Sequence, residues 1–406
     1  MKTPLKLLIT GLTLLALSTL NSQLSTAFAQ GSLTPPGAPA PTMKSLDQIY
    51  NQIGTVQDPR TVVNAANTPG DSGNSFIITN SGSYYLTTNL VGVSGKSGIK
   101  IAANNVTLDL NGFALLGWGG FDGIYIPAGS ITNITVRNGT ISGWMDGVSD
   151  QYGTTYNLVL ERLTLSANYA SGIVTYGPNA VVRDCSVQKS YWGITVAGGG
   201  GVGIVSGCTV NNTGVGGIGI SLNHGVVSGC SVQNNDKGIS VYSGTVSGCF
   251  VQNNTSDGIS INSGTVSGCS VQNNGNYGIY VSSGGVGIVS GCFVKGNYYS
   301  GIYVDGPGSE VIGNTCVGNN TANYSSHAGI YIDSSNNRVE DNHVSASGYA
   351  GISTSSAFPN NIIIKNSVSG NGAGNNYWVP GNQVVGPIIS TTGFITNSNP
   401  WANFSF

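Results

Sequence analysis

The chain has 406 residues, of which 39% are apolar and only 7% charged, with a net charge of −2. No run of Lys or Arg is present to hold a row of phosphates, so nucleic acid is not an expected partner. Disorder goes with low hydrophobicity, whereas here apolar residues recur at fixed positions, and an ordered chain is expected.

Residues 1–29 read as a signal peptide. Lys2 and Lys6 precede an apolar run from Leu7 to Leu20, and Ala27-Phe28-Ala29 fits a small-x-small cleavage site. The run is shorter than the ~20 residues of a membrane span and no later stretch replaces it, so no transmembrane segment is expected. The mature chain is expected to be secreted or extracytoplasmic, in a periplasm or at a cell surface. Residues 30–42 form a Pro/Gly/Ala linker. Residues 43–97 are expected to hold an N-terminal cap and leading strands. Leu46, Ile49, Ile53 and Val56 follow 3-4-3 spacing, which predicts one short amphipathic helix that would cover the first coil of a repeat array.

From Gly98 the chain repeats itself. A glycine followed by an apolar residue occurs at Gly98, Gly123, Gly147, Gly172, Gly193, Gly217, Gly238, Gly258, Gly278, Gly301, Gly329 and Gly351. In most copies a second apolar residue follows two places on, which is strand alternation. A second motif, apolar-x-x-Cys-x-apolar, lies between the glycines, as in Val246-Ser247-Gly248-Cys249-Phe250-Val251. Its central column reads Phe113, Gly139, Leu163, Cys185, Cys208, Cys230, Cys249, Cys269, Cys292, Asn314, Asn342, Asn366. Short strands, many Gly and abundant β-branched residues argue against a helical repeat. The expected fold is all-β: a right-handed parallel β-helix of about twelve coils over residues 98–380, closed by a C-terminal cap over 381–406.

Seven Cys in an exported chain invite disulfides. Six of them occupy one inward column, where strands stack at ~4.8 Å while a disulfide wants Cβ atoms at ~3.8 Å. Buried free thiols filling the core are therefore expected, with Cys316 also inward. No metal site is expected, since each coil supplies one sulfur. The Asn residues that continue the column are expected to form an amide ladder.

The Gly-Ile-x-Val strands and Val-x-x-Asn-x-Val turns resemble the repeats of pectate-lyase-like β-helix proteins. Leu46-Asp47-Gln48-Ile49, Gly82-Ser83-Tyr84-Tyr85-Leu86, Val106 to Gly112 and Asn399-Pro400-Trp401-Ala402-Asn403-Phe404 are similar to a group of secreted bacterial right-handed β-helix proteins. The resemblance implies the fold. The wider superfamily holds polysaccharide lyases, hydrolases, epimerases and adhesins, so a polysaccharide partner is its implication, and a lyase or hydrolase activity is open. No clustered-Asp polygalacturonase motif and no Ca²⁺ site of a pectate lyase aligns; no cofactor is expected, and Ca²⁺ has no motif behind it.

Three features could carry chemistry. Arg137, Glu161 and Arg183 stack with alternating sign in one outward column, which reads as a surface ion-pair ladder or as an Arg/carboxylate site for an acidic sugar. Asp150 stands where the core wants Ile; it either opens the following loop or is a desolvated acid. With Glu161 and Arg183 it completes the catalytic candidates. Tyr280, Tyr303 and Tyr331 fall on successive outward positions, with Asp305 and Asp333 two residues after the latter two, beside the inserted segment 319–327. Rings with polar edges suit sugar faces and carboxylates suit hydroxyls, so these five are the expected substrate-binding residues; cross-strand ring packing is the plainer reading. His224, His327 and His343 form no triad spacing. A non-catalytic structural or adhesive surface rod is the rival function. The terminus ending in Phe406 reads as a cap or as a sorting signal.

Overall fold

The computed structural model describes residues 44–49, 58–150, 153, 155–372, 375–390 and 393–406. The expected signal peptide and linker, and Ile53 and Val56 of the expected helix, lie outside the described residues. The chain divides into two compact units, Met1–Asp58 and Pro59–Phe406. In the first, residues 46–49 form one helical turn. Ser45 Oγ accepts from the Gln48 amide at 3.1 Å and Gln48 Oε1 accepts from the Ser45 amide at 2.9 Å, a reciprocal N-terminal cap. No helix among the described residues is long and apolar enough to cross a membrane.

The second unit is a right-handed parallel β-helix. Its strands stack into three long faces: sheet A, described next, sheet B, with strands such as Val181–Arg183 and Glu310–Ile312, and sheet C, with strands such as Ser186–Gln188 and Ser231–Gln233. The pairings are parallel from the first coil to the last. Sheet A runs from Asn74–Ile78 to Asn375–Trp378 and contains fourteen strands among the described residues. The coil number is therefore about fourteen rather than twelve. The glycine signature misses the two end coils because the sheet A strands there, Asn-Ser-Phe-Ile-Ile and Asn-Asn-Tyr-Trp, carry no Gly.

Each recurring glycine has a steric cause. A Cβ on Gly123 would lie 2.7 Å from the Gly147 carbonyl oxygen, and one on Gly258 would lie 2.7 Å from that of Gly278. The column keeps adjacent coils at hydrogen-bonding distance, which a side chain would prevent. One register differs from the sequence expectation. Ile194 pairs with Ile220 and Val196 with Leu222, so the glycine of this coil is Gly219, not Gly217. Ile220 then stands as far from Val227 as Ile239 from Val246 and Ile259 from Val266, and that spacing selects the register.

Inward residues build one core: Ile99, Ile124, Val148, Ile173, Ile194, Ile220, Ile239, Ile259, Ile279, Ile302, Ile330 and Ile352 are all buried. Each contributes roughly 1.5–3 kcal/mol by leaving water. In the cysteine column the preceding corner residue is left-handed: Gly207, Gly229, Gly248, Gly268 and Gly291 lie near φ +60°. Asn138, Arg162 and Asp184 occupy the same slot in earlier coils.

All seven cysteines are free and buried and line up within the solenoid, with Cys316 paired to Val294 as expected. Each of Cys185, Cys208, Cys230, Cys249 and Cys269 receives on its carbonyl oxygen an amide from the next coil. Thiol titration of the denatured, unreduced protein is expected to find close to seven free thiols, and the native protein close to none; blocked pairs would contradict the register. The amide ladder also forms. Asn314, Asn342, Asn366 and Asn403 are linked by Nδ2–Oδ1 bonds of 3.0, 3.0 and 3.1 Å. Asn403 belongs to the terminal strand Asn403–Ser405, which pairs with Ser367–Ser369 and so adds a strand to sheet C at the end of the stack.

A second ladder was not anticipated. Asn235, Asn254, Asn274, Asn297 and Asn319 bond in sequence at 3.2, 2.9, 2.9 and 2.8 Å inside the corner between sheets C and A. Its signal at the first three is the doublet Asn-Asn after Val-Gln, and at the last two a positive-φ glycine, Gly296 or Gly318, before the Asn. The first Asn takes positive φ, as at Asn234, Asn253 and Asn273, which turns the second inward.

Candidate functional site

The outward column of sheet A is fixed by strand register. It passes Lys100, Tyr125, Ser149, Val174, Thr195, Ser221, Ser240, Ser260, Tyr280, Tyr303, Tyr331, Ser353 and Trp378. The register change puts Ser221, not Gly219, in this column. Tyr280, Tyr303 and Tyr331 are consecutive. Their ring centroids are 5.6 and 5.4 Å apart, with Tyr303 and Tyr331 only 12° from parallel.

The two carboxylates meet this strip. The Tyr303 hydroxyl donates to Asp333 at 2.7 Å, and that of Tyr280 to Asp305 at 3.4 Å. Each bond reaches from one coil to the next, so the phenol edges and the carboxylates form one polar line on rigid strands. Burial, followed by the nearby Asp333 charge, raises the Asp305 carboxyl. Burial and the hydrogen bond to Asp333 push the Tyr303 phenol up, and burial moves Tyr277 to about 12. These tyrosines remain neutral hydrogen-bond donors at physiological pH.

The strip is wider than the sequence suggested. Tyr277, just before the Gly278 strand, stacks on Tyr303 at 4.4 Å. In the inserted segment, Asn320 Nδ2 donates to the Tyr324 and His327 carbonyls at 2.8 and 3.0 Å, while its Oδ1 accepts from the Tyr324 amide at 3.0 Å. The fold of that segment lays His327 on Tyr299 at 4.4 Å. Burial lowers the His327 pKa, favouring the neutral ring. Alternation of residues within a strand could not reveal Tyr277, Tyr299 or His327, because all three sit in corners. Residues 255–286, 298–309, 320–336 and 346–360, which hold these sheet A strands and corners, contain neither Lys nor Arg.

The catalytic candidates lie elsewhere and are not brought together. Glu161 and Arg183 pair across coils of sheet B. Glu161 is 4% exposed. Arg183 Nε lies 2.8 Å and Arg162 Nη2 2.6 Å from its oxygens, with Arg137 Nη1 at 4.0 Å; Arg137 also meets Asp109 at 3.1 Å. Burial alone would raise the Glu161 carboxyl, but the bond from Arg183 and the charges of Arg162 and Arg183 hold it below its ordinary value. The arrangement is an ion-pair ladder. Arg162 turns to Glu161 and Asn138.

Asp150 ends its sheet A strand and is fully buried. It accepts from Thr155 Oγ1 at 2.8 Å, Thr175 Oγ1 at 2.9 Å and the Gly177 amide at 3.2 Å. Burial raises its pKa. Its oxygens are occupied by the following loop and the next coil, and none of these partners is Glu161 or Arg183. A different acid pair escaped the sequence reading. Burial and then the Asp146 charge move Asp122 to about 6. Both precede a sheet A glycine, at Asp122-Gly123 and Asp146-Gly147.

Residues 243–386 match the family model described as a right handed beta helix region. No curated protein matches the sequence. Among solved structures, the A-module of the mannuronan C-5 epimerase AlgE6 of Azotobacter vinelandii is 16% identical, covers 76% of this chain and 91% of its own, and has a TM-score of 0.37. The alginate lyase AlyF-OU02 is 10% identical over 85% of this chain and 87% of its own, with a TM-score of 0.46. The tailspike of Escherichia coli bacteriophage HK620, solved with a hexasaccharide, is 12% identical over 82% and 71%, with a TM-score of 0.39. None of these likenesses carries an argument about what this chain binds.

Proposed function

We propose that this β-helix is an exported, extracytoplasmic protein that binds polysaccharide along sheet A, through Tyr280, Tyr303, Tyr331, Asp305 and Asp333. The observation that carries the reading is the hydrogen-bonded line of phenols and carboxylates on stacked strands. Ring edges and faces suit the apolar side of a sugar, and the carboxylates accept its hydroxyls. Carboxylates with no Lys or Arg in the same stretch repel further anions, so neutral or amino-bearing glycans fit better than uronates.

A rigid rod without a ligand is the second reading. It is favoured by the near-parallel packing of Tyr303 on Tyr331, which hides ring faces from solvent. Binding variants separate the two. Tyr303→Phe keeps the packing and removes the hydroxyl, whereas Tyr280/Tyr303/Tyr331→Ala removes the strip. Calorimetric titration with polysaccharide is expected to show a loss of about tenfold or more in the triple variant and a smaller loss in Tyr303→Phe. Unsaturated or reducing ends appearing during the titration would add catalysis. A triple variant that is merely less stable, with binding unchanged, would move the binding off the strip; no binding by the wild type would leave the rod.

A further inference from the structure

The outward column of sheet A passes a second aromatic cluster before it reaches the tyrosine strip. Tyr169, Tyr191, Trp192, Val174 and Thr195 wall a groove of 390 Å³ whose lining includes the buried Asp146. Tyr169 is 68% and Tyr191 44% exposed, and the same two rings wall a second groove on their other flank. Large rings left in water beside a groove mark a binding surface. The groove also has polar groups, the Thr195 and Tyr176 hydroxyls, while Asp146 is 2% exposed and its Oδ1 accepts from the Ser171 amide at 2.8 Å. Rings with interspersed acceptors match a sugar better than an apolar protein face.

Between this groove and the strip the column runs Thr195, Ser221, Ser240, Ser260, Tyr280. Four strand steps span about 19 Å. The floor is a shallow groove lined by Ser221, Ser240, Ser260, Ser282 and Asn262, with Tyr242 at its side. The small outward hydroxyls leave the path open.

We infer that the Tyr169/Tyr191/Trp192 groove is a second glycan anchor, and that one polysaccharide chain lies along sheet A across the serine floor to hold both sites. This rests on the polysaccharide reading of the strip. Once a chain sits on one anchor, the other binds at high effective concentration, so a polymer gains affinity that a short fragment cannot.

The test uses the full mature chain against a neutral β-glucan, chitosan and polygalacturonate, each as polymer and as tetrasaccharide. A polymer of at least one class is expected to bind tenfold or more tighter than its tetrasaccharide. Tyr169→Ala with Tyr191→Ala should remove that advantage and leave tetrasaccharide binding at the strip unchanged. Ser240→Trp, a bulky ring on the floor, should do the same without touching either anchor. Polymer affinity unchanged in both variants, with tetrasaccharide still bound, overturns the second anchor and leaves the strip. A changed oligomeric state without a change in glycan affinity also overturns it, in favour of a contact between copies. No binding of any glycan overturns the inference together with the reading beneath it.

Discussion

Gly258→Ala is expected to destabilise the protein by about 3 kcal/mol, the upper end of overpacking costs. The added Cβ would stand 2.6 Å from Val271 Cγ1, 2.7 Å from Asn274 Nδ2 and 2.7 Å from the Gly278 carbonyl oxygen. The carbonyl is fixed because it accepts the Ile259 amide at 2.9 Å, and Asn274 is fixed by its bond to Asn297 at 2.9 Å. A single methyl must therefore push adjacent coils apart or break the amide ladder. Gly381→Ala is the control, since nothing lies near its Cβ. Urea midpoints of the two variants check the claim. Equal midpoints would mean that the glycine column does not set the coil spacing.

The second large effect is expected at Glu161. Glu161→Gln leaves Arg137, Arg162 and Arg183 around a neutral amide and should cost about 2 kcal/mol at pH 7. That is less than a fully buried pair because the arginines reach solvent. The pH dependence gives the sign. The folded carboxyl titrates below its ordinary value of 4.5, so its stabilisation is complete above pH 4.5 and is lost as pH falls through the depressed folded value. The stability gap between wild type and Glu161→Gln should therefore close in acid. Urea midpoints of both proteins at pH 7 and at pH 3 measure it; a gap that stays constant would show that the carboxylate charge is not what the arginines need.

The fold was legible because its two strongest signals are steric. Glycine recurs where coils touch, and Cys or Asn recurs where one inward position must stay small or self-satisfying. The end coils were missed because neither signal operates there. The run from Gly216 to Ile220 offered two Gly-Ile pairs, and only the distance to Val227 distinguishes them. The tyrosine strip was legible from strand alternation, but Tyr277, Tyr299 and His327 were not, since corner residues obey no period. Asp150 showed its anomaly in sequence, an acid in an Ile column. The threonines that satisfy it, Thr155 and Thr175, become its neighbours only through the loop and the stacking of the next coil. Asp122 and Asp146 looked like ordinary turn residues beside glycine until stacking placed one carboxylate over the other.

The most direct measurement is equilibrium binding of the purified protein to a panel of soluble polysaccharides of neutral, amino-bearing and uronate type. The account predicts that at least one neutral or amino-bearing polymer binds, and binds more tightly than the uronates. Failure of every polymer to bind would contradict it and leave sheet A as the wall of a structural rod.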